Sequence, residues 1–179
     1  MADFSAPAGW ELRRASANDA AALSLVAGAT FLQTFAGVLP GADIVAHCAA
    51  NSSFAKFAGW TADPACVATL AEHTDGAAAV GYTLLTPPDF PIATGPDDIE
   101  LKRIYTLAGT HGTGLGPALM TQAFADAAAL GRTRVLLGVH PGNTRARRFY
   151  ERHGFKVIGQ RVFQVGEQRI TDPIYARDL

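Results

Sequence analysis

"HGTGLGPALM", residues 111–120, sets three glycines at alternate positions ahead of a proline and an apolar run. Gly112, Gly114 and Gly116 can adopt positive φ and carry no Cβ, so successive main-chain N–H groups can turn toward one anion. Pro117 suits the first position of a helix, where its missing N–H costs nothing and its fixed φ is already helical. The N-terminus of that helix adds a partial positive charge. A turn of this kind, between a strand and a helix, suits a phosphate; a structural turn with incidental glycines is the alternative that context has to decide.

The flanks supply context. "IELKRIYTL" (99–107) is β-branched and aromatic, a strand; "GPALMTQAFADAAALG" is a helix; "TRVLLGVH" is a strand. The unit around 99–140 predicts a right-handed crossover joining parallel strands. Beyond it, "NTRARRFYERHG" is a helix, and "FKVIGQRVFQ" and "ITDPIYARDL" are strands. Toward the N-terminus, "WELRRAS" is a first strand, and Ser16 and Asp19 stand at capping-box spacing. The helix that follows has Leu23, Val26, Ala27 and Leu32 at helical spacing. "ADIVAHCAANSSFAKFAGW" is a weaker helical stretch, interrupted by Asn51, Ser52 and Ser53, which can split it in two. "ACVATLAEH" and "AAAVGYTLLT" flank "TDG" as an antiparallel hairpin, and "PPDFPIATGPDD" is a loop. The order predicts one α+β domain over residues 1–179, with no internal repeat or linker.

With 179 residues, 49% hydrophobic and 17% charged, the chain can bury a substantial core. No apolar run reaches the roughly 18 residues that span a bilayer. "MADFSAPAGW" has an acid where an export signal is basic and lacks an apolar stretch. A cytoplasmic protein without membrane association is the expectation. Cys48 and Cys66 form no metal-type spacing and are expected to be reduced, packed thiols, with no metal bound. The net charge of −1 conceals a division, −8 over residues 1–100 and +7 over 101–179. That division suits a C-terminal half facing an anionic ligand and an N-terminal half facing a cation. No basic run interleaved with aromatics points to nucleic acid.

Two phosphate-binding patterns fit badly. An ATP- or GTP-binding loop needs GxxxxGK[ST], and no lysine follows here. A dinucleotide fingerprint needs GxGxxG and an acid about 20 residues on. This loop is GxGxG, the next strand ends "LLGVHPGN" without an acid, and the turn comes late in the chain.

"LKRIYTLAGTHGTGLGPALM" and "LLGVHPGNTRARRFYERHGF" together resemble the acyl-CoA-binding core of the GNAT superfamily of N-acyltransferases. Its loop pattern, Gln/Arg-x-x-Gly-x-Gly/Ala, is matched by His111, Gly114 and Gly116. Its second pattern, Asn-x-x-Ala-x-x-Phe-Tyr, is matched by Asn143, Ala146, Phe149 and Tyr150, followed by "ERHGF". The likeness is strongest over residues 99–158, and "ELRRASANDAAAL" extends it to the opening strand and helix. It implies a single-domain GNAT-like fold: a mixed, mostly antiparallel sheet of six to seven strands with a central, splayed parallel pair, flanked by about four helices. His111 departs from the family's Gln or Arg, so phosphate contact would rest more on backbone amides and would strengthen as pH falls through the histidine's titration.

The resemblance also implies a cofactor site and a chemistry. Acetyl-CoA would be the cosubstrate, with no metal. Residues His111, Gly112, Thr113, Gly114, Leu115 and Gly116 would bind its phosphates. N–H groups around Tyr105, Thr106 and Leu107 would bind the pantetheine arm or the carbonyl oxygen. Asn143 would cap its helix and touch the cofactor, and Arg147 or Arg148 would meet nucleotide phosphates. Tyr150, on a helix face with 146, 149 and 153, is the candidate general acid, its phenol of pKa about 10 suited to protonating a thiolate. Glu100 is the candidate base, His140 the second choice. Neither cysteine has a basic partner in local sequence, which disfavours an acyl-cysteine route.

The implied activity is acetyl transfer to a primary amine by direct attack. Asp89, Asp97, Asp98 and Glu100 near the acceptor side favour a small cationic amine, and "ELKRIYTL" resembles polyamine-acetylating members. A peptide or protein N-terminus is the alternative acceptor. From other classes, a non-catalytic acyl-CoA sensor and a nucleotide-dependent oxidoreductase stay open. Oligomeric state is not legible, a homodimer being the commonest assembly.

Overall fold

The computed structural model describes residues 6–165 and 168–179. Residues 1–5, on which the reading of the export signal partly rests, lie outside it. One seven-stranded sheet runs in the order β1-β2-β3-β4-β5-β7-β6. Its strands are β1 Trp10–Arg14, β2 Val67–His73, β3 Ala79–Thr86, β4 Asp98–Thr106, β5 Arg134–Gly138, β6 Lys156–Val165 and β7 Gln168–Asp178. Neighbours are antiparallel except β4 and β5, which are parallel. The helices are α1 Ala20–Phe35, α2 Gly41–Asn51, α3 Phe54–Ala62, α4 Leu115–Ala129 and α5 Thr144–Arg152.

The expected order of elements is present, and the weak stretch after Pro40 is two helices. Ser52 and Ser53 break it: Ser52 ends α2, and the Ser53 Oγ accepts the Lys56 N–H to start α3. At the start of α1, the Asp19 carboxylate accepts from the Ser16 N–H at 2.8 Å and holds Arg13 at 2.7 Å. Arg13 also reaches Glu72 across β1 and β2 at 2.7 Å. The buried stripe of α1 runs through Ala20, Leu23, Val26, Ala27, Phe31 and Phe35. Leu32, predicted on that stripe, is 54% exposed. It follows Phe31 by one residue, about 100° round the helix, so Phe31 takes the inward place.

Helices cover both faces of the sheet. On one, Met120, Ala123 and Ala127 of α4 and Tyr150 of α5 pack on Val67, Leu85, Ile99, Leu101, Val135 and Leu137. On the other, α1 and Phe57 of α3 pack on Ala68, Leu70, Tyr82 and Leu84. Burying each such side chain contributes about 1.5–3 kcal/mol, which is what fixes strand register here.

Two features of β4 shape the centre of the sheet. Its register with β3 slips between the pairs Leu85↔Leu101 and Leu84↔Arg103, so Lys102 is the extra residue of a β-bulge. The bulge reverses the alternation of faces. Ile99 and Leu101 point to α4, whereas Arg103 and Tyr105 join Glu100 on the α1 face. Then β4 pairs with β5 only at Asp98↔Arg134, Ile99↔Val135 and Glu100↔Leu136. Beyond Glu100 the two strands part, giving the splayed parallel pair that the resemblance implied.

Candidate active site

The gap between β4 and β5 opens into a cavity of about 610 Å3. Glu100, Tyr105, Thr106, His111, Gly116, His140, Asn143 and Tyr150 all line it, bringing both motifs to one place. At one end lies the glycine turn. Gly112 and Gly114 have φ of +83° and +87°, the left-handed region that favours glycine. The His111 N–H donates to Ala108 O and the Thr113 N–H to Thr110 O, so these two amides are spent inside the turn. The N–H groups of Gly112, Gly114, Leu115 and Gly116 have no acceptor among the described residues, and the last three open α4. Four unspent amides at a helix N-terminus form an anion cradle.

The His111 side chain does not stand alone there. Arg145, in the first turn of α5, brings Nη1 to 2.6 Å from its Nδ1. Burial, reinforced by the Arg145 charge and opposed by the Thr106 backbone, lowers the histidine's pKa. That shift favours the neutral imidazole, and the Arg145 guanidinium is the cation beside it. Arg147 and Arg148, the expected phosphate ligands, do not line the cavity. Arg147 Nε donates instead to Tyr175 Oη at 3.1 Å, and that hydroxyl donates to Glu151. Two residues along a helix is about 200° of rotation, which sets Arg145 and Arg147 on different sides.

The end of β4 supplies donors, with one correction. The Leu107 N–H is spent on Val80 O at 2.8 Å. In an antiparallel pair alternate residues face the partner, so the Tyr105 N–H also turns toward β3, while those of Ile104 and Thr106 turn toward the gap. Of the expected three, Thr106 is thus the residue aimed at the cavity, and Ile104 is one that the sequence did not reveal.

Tyr150 is 8% exposed, and its ring packs against Phe149, Phe155 and Tyr175. Its hydroxyl has no hydrogen-bond partner among the described residues. Burial raises its pKa well above the ordinary phenol value, so it stays protonated. Asn143 Oδ1 caps α5 by accepting the Ala146 N–H at 3.1 Å.

Across the cavity, Glu100 is 1% exposed. Its Oε2 accepts the Asp89 N–H at 3.1 Å and lies 3.5 Å from Lys102 Nζ. Arg161 Nη1 is 3.8 Å from its Oε1. Burial raises the Glu100 pKa, against the pull of Lys102 and Arg161. His140 Nδ1 accepts the Gly142 N–H at 3.0 Å. Of the four acids expected near the acceptor, Glu100 alone lines the cavity. Asp98 is bound at 2.7 Å to Arg134. Asp172 of β7, which the sequence did not single out, is the second carboxylate on the wall. The pairing of Arg161 with Asp172 across β6 and β7 becomes visible only once the strand register is known. Burial raises the thiol pKa of Cys66 to about 11, and that of Cys48 also rises.

Unspent amides at a helix N-terminus, a splayed parallel pair and a buried tyrosine on one cavity suit an enzyme that handles acyl groups carried on a phosphate-bearing thioester. The profile of the acetyltransferase (GNAT) family matches residues 42–155. An uncharacterised N-acetyltransferase of Mycobacterium bovis is 39% identical over 161 residues, covering 90% of this chain and 98% of the relative, and its Mycobacterium tuberculosis counterpart matches equally. Among solved structures, the PaiA N-acetyltransferase from Thermoplasma acidophilum in complex with coenzyme A has a TM-score of 0.76 at 22% identity, covering 95% of this chain and 99% of that one. The ribosomal-protein-S18-alanine N-acetyltransferase from Escherichia coli has a TM-score of 0.68 at 16% identity, covering 94% and 93%. At these identities the solved structures share the fold. The chain belongs to the GNAT family of acetyltransferases, and acetyl-CoA is its acyl donor. The residues present fit that donor: the four unspent amides and Arg145 suit a pyrophosphate, and the gap beyond them admits an extended arm. No described helix is long and apolar enough to cross a membrane.

Proposed function

We propose that the protein transfers an acetyl group from acetyl-CoA to a primary amine of a small cationic acceptor, by direct attack and in the cytoplasm. The observation that carries this is a single cavity that reaches from His111 and Gly116, on either side of the glycine turn, to Tyr150 and Glu100. Bound acetyl-CoA supplies the acetyl thioester. The N–H groups of Gly112, Gly114, Leu115 and Gly116, with Arg145, hold the pyrophosphate. The Thr106 and Ile104 N–H groups receive the charge growing on the carbonyl oxygen, and one such aimed donor contributes about 3 kcal/mol.

The reacting nitrogen enters the site neutral, its ammonium proton having been lost to solvent, and Glu100 takes the second proton as the nitrogen attacks, directly or through a water; its raised pKa makes it a stronger base than an ordinary glutamate. As the N–C bond forms and the C–S bond breaks, Tyr150 gives its proton to the departing sulfur. The phenolate then recovers a proton by way of solvent from Glu100, which returns both groups to their starting states. Burial weakens the phenol as an acid, but the same dry surroundings make the thiolate a stronger base.

A panel of monoamines, diamines and a peptide with a free N-terminus, assayed with acetyl-CoA for thiol release, tests this. Release above background with the small amines is expected. Release with the peptide alone would move the acceptor to a polypeptide N-terminus, and coenzyme A binding without any release would make the domain a sensor.

A further inference from the structure

One buried carboxylate oxygen on the cavity wall lacks a donor. Asp172 is 3% exposed, and its Oδ1 has no hydrogen-bond partner among the described residues. The other oxygen, Oδ2, lies 3.8 Å from Arg161 Nε, while Nη1 of the same guanidinium lies 3.8 Å from Glu100 Oε1. Arg161 therefore stands between the two carboxylates. It passes over β5 at Gly138, where a Cβ would meet its Nη2 at 2.6 Å. A carboxylate taken out of water costs several kcal/mol unless its oxygens are met by donors, so Oδ1 is a place prepared for one.

The surroundings say which donor. Asp172 lies level with the end of β5, since Ile174 pairs with Gly138 and the Val139 N–H donates to Pro173 O. Ile170, two residues earlier on the same face of β7, packs against the cluster of Phe31 and Phe35. Those two rings lie 4.4 Å apart and line the same cavity. A carboxylate in a cavity that aromatic rings also line suits an ammonium group, by charge-assisted hydrogen bonding and by attraction to the rings.

We propose that Asp172 Oδ1 seats a second ammonium of the acceptor, so that the preferred acceptors are diamines and longer polyamines. The far nitrogen is anchored on β7 while the near nitrogen meets the thioester between Glu100 and Tyr150. This rests on the acetyl transfer proposed above and adds to it the specificity of the acceptor end.

The test is titration of the coenzyme A-loaded protein with putrescine and with butylamine, which differ by one ammonium, alongside turnover with acetyl-CoA. The wild-type protein should bind putrescine at least about tenfold more tightly, the scale of one charged hydrogen bond. Asp172→Asn should collapse that difference, and Asp172→Glu should restore part of it. Equal affinities in the wild type, or an Asn variant that weakens both amines alike, overturns the proposal; the wild-type comparison decides even if the variant fails to fold. Putrescine binding that depends on Asp172 without thiol release would retain the anchor and discard the transfer. Turnover indifferent to the second ammonium would do the reverse.

Discussion

Tyr150 and Glu100 sit on opposite sides of one cavity, and burial pushes both pKa values upward with opposite consequences. For the phenol, a raised value keeps the proton in place at every working pH. For the carboxylate, it moves the loss of the basic form to higher pH. Turnover should therefore fall as pH drops through an apparent value above the roughly 4.3 of an ordinary glutamate. Glu100→Gln should lower turnover by about a hundredfold and remove that acidic limb. An unaltered pH–rate profile in the variant would take Glu100 out of the reaction. Tyr150→Phe should cut turnover about tenfold or more while leaving coenzyme A affinity near the wild-type value. Wild-type turnover in the phenylalanine variant would leave the hydroxyl a packing group.

At the scale of elements, the glycine turn and α5 were legible because their signals are local. Alternating glycines before Pro117, and Asn143 ahead of an apolar–aromatic pair, report backbone conformation and helix phase directly. The bulge at Lys102 was not legible. Nothing in "IELKRIYTL" marks the extra residue, yet it decides that Arg103 and Tyr105 share a face with Glu100. The arginines of α5 were not separable in the sequence for a related reason. All four lie close in sequence, and only the approach of the helix to the glycine turn selects Arg145, in its first turn, and commits Arg147 to Tyr175. Arg145→Ala should weaken acetyl-CoA binding about tenfold, the lower end for a charged hydrogen bond at an exposed site, whereas Arg147→Ala should leave it nearly unchanged. Titration calorimetry on the two variants compares them directly, and a loss confined to Arg147→Ala would reverse the assignment.

At the scale of the whole molecule, the sheet has to close where β4 and β5 begin and open where they end. Three residue pairs hold the closed part, and Asp98 buttresses it by accepting twice from Arg134 at 2.7 Å and once from the Gly95 N–H at 2.8 Å. The Arg134 guanidinium holds the Asp98 pKa below the ordinary carboxylate range, against the opposing effect of burial. A lowered folded-state pKa gives stability that is present above the unfolded value of about 3.9 and lost as pH falls through the folded one. Asp98→Ala should cost about 1–3 kcal/mol at neutral pH, and its deficit against the wild type should shrink in acid. Urea unfolding at several pH values reads both; a deficit that stays constant into acid would mean that Arg134 contributes little. Arg145, beside the glycine turn, comes from the basic C-terminal half. The division of charge along the sequence does not locate the carboxylates of the cavity wall, where Asp172 comes from the basic half and Asp98, from the acidic half, is spent on structure.

The central claim is that unspent amides at the start of α4 hold a pyrophosphate, so that its thioester enters the gap where β4 and β5 part. A crystal structure of the protein with acetyl-CoA tests this most directly. The pyrophosphate should lie within hydrogen-bonding distance of the Gly112, Gly114, Leu115 and Gly116 N–H groups, with the thioester sulfur beside the Tyr150 hydroxyl. A pyrophosphate bound elsewhere, with those four amides facing only water at saturating acetyl-CoA, would contradict it.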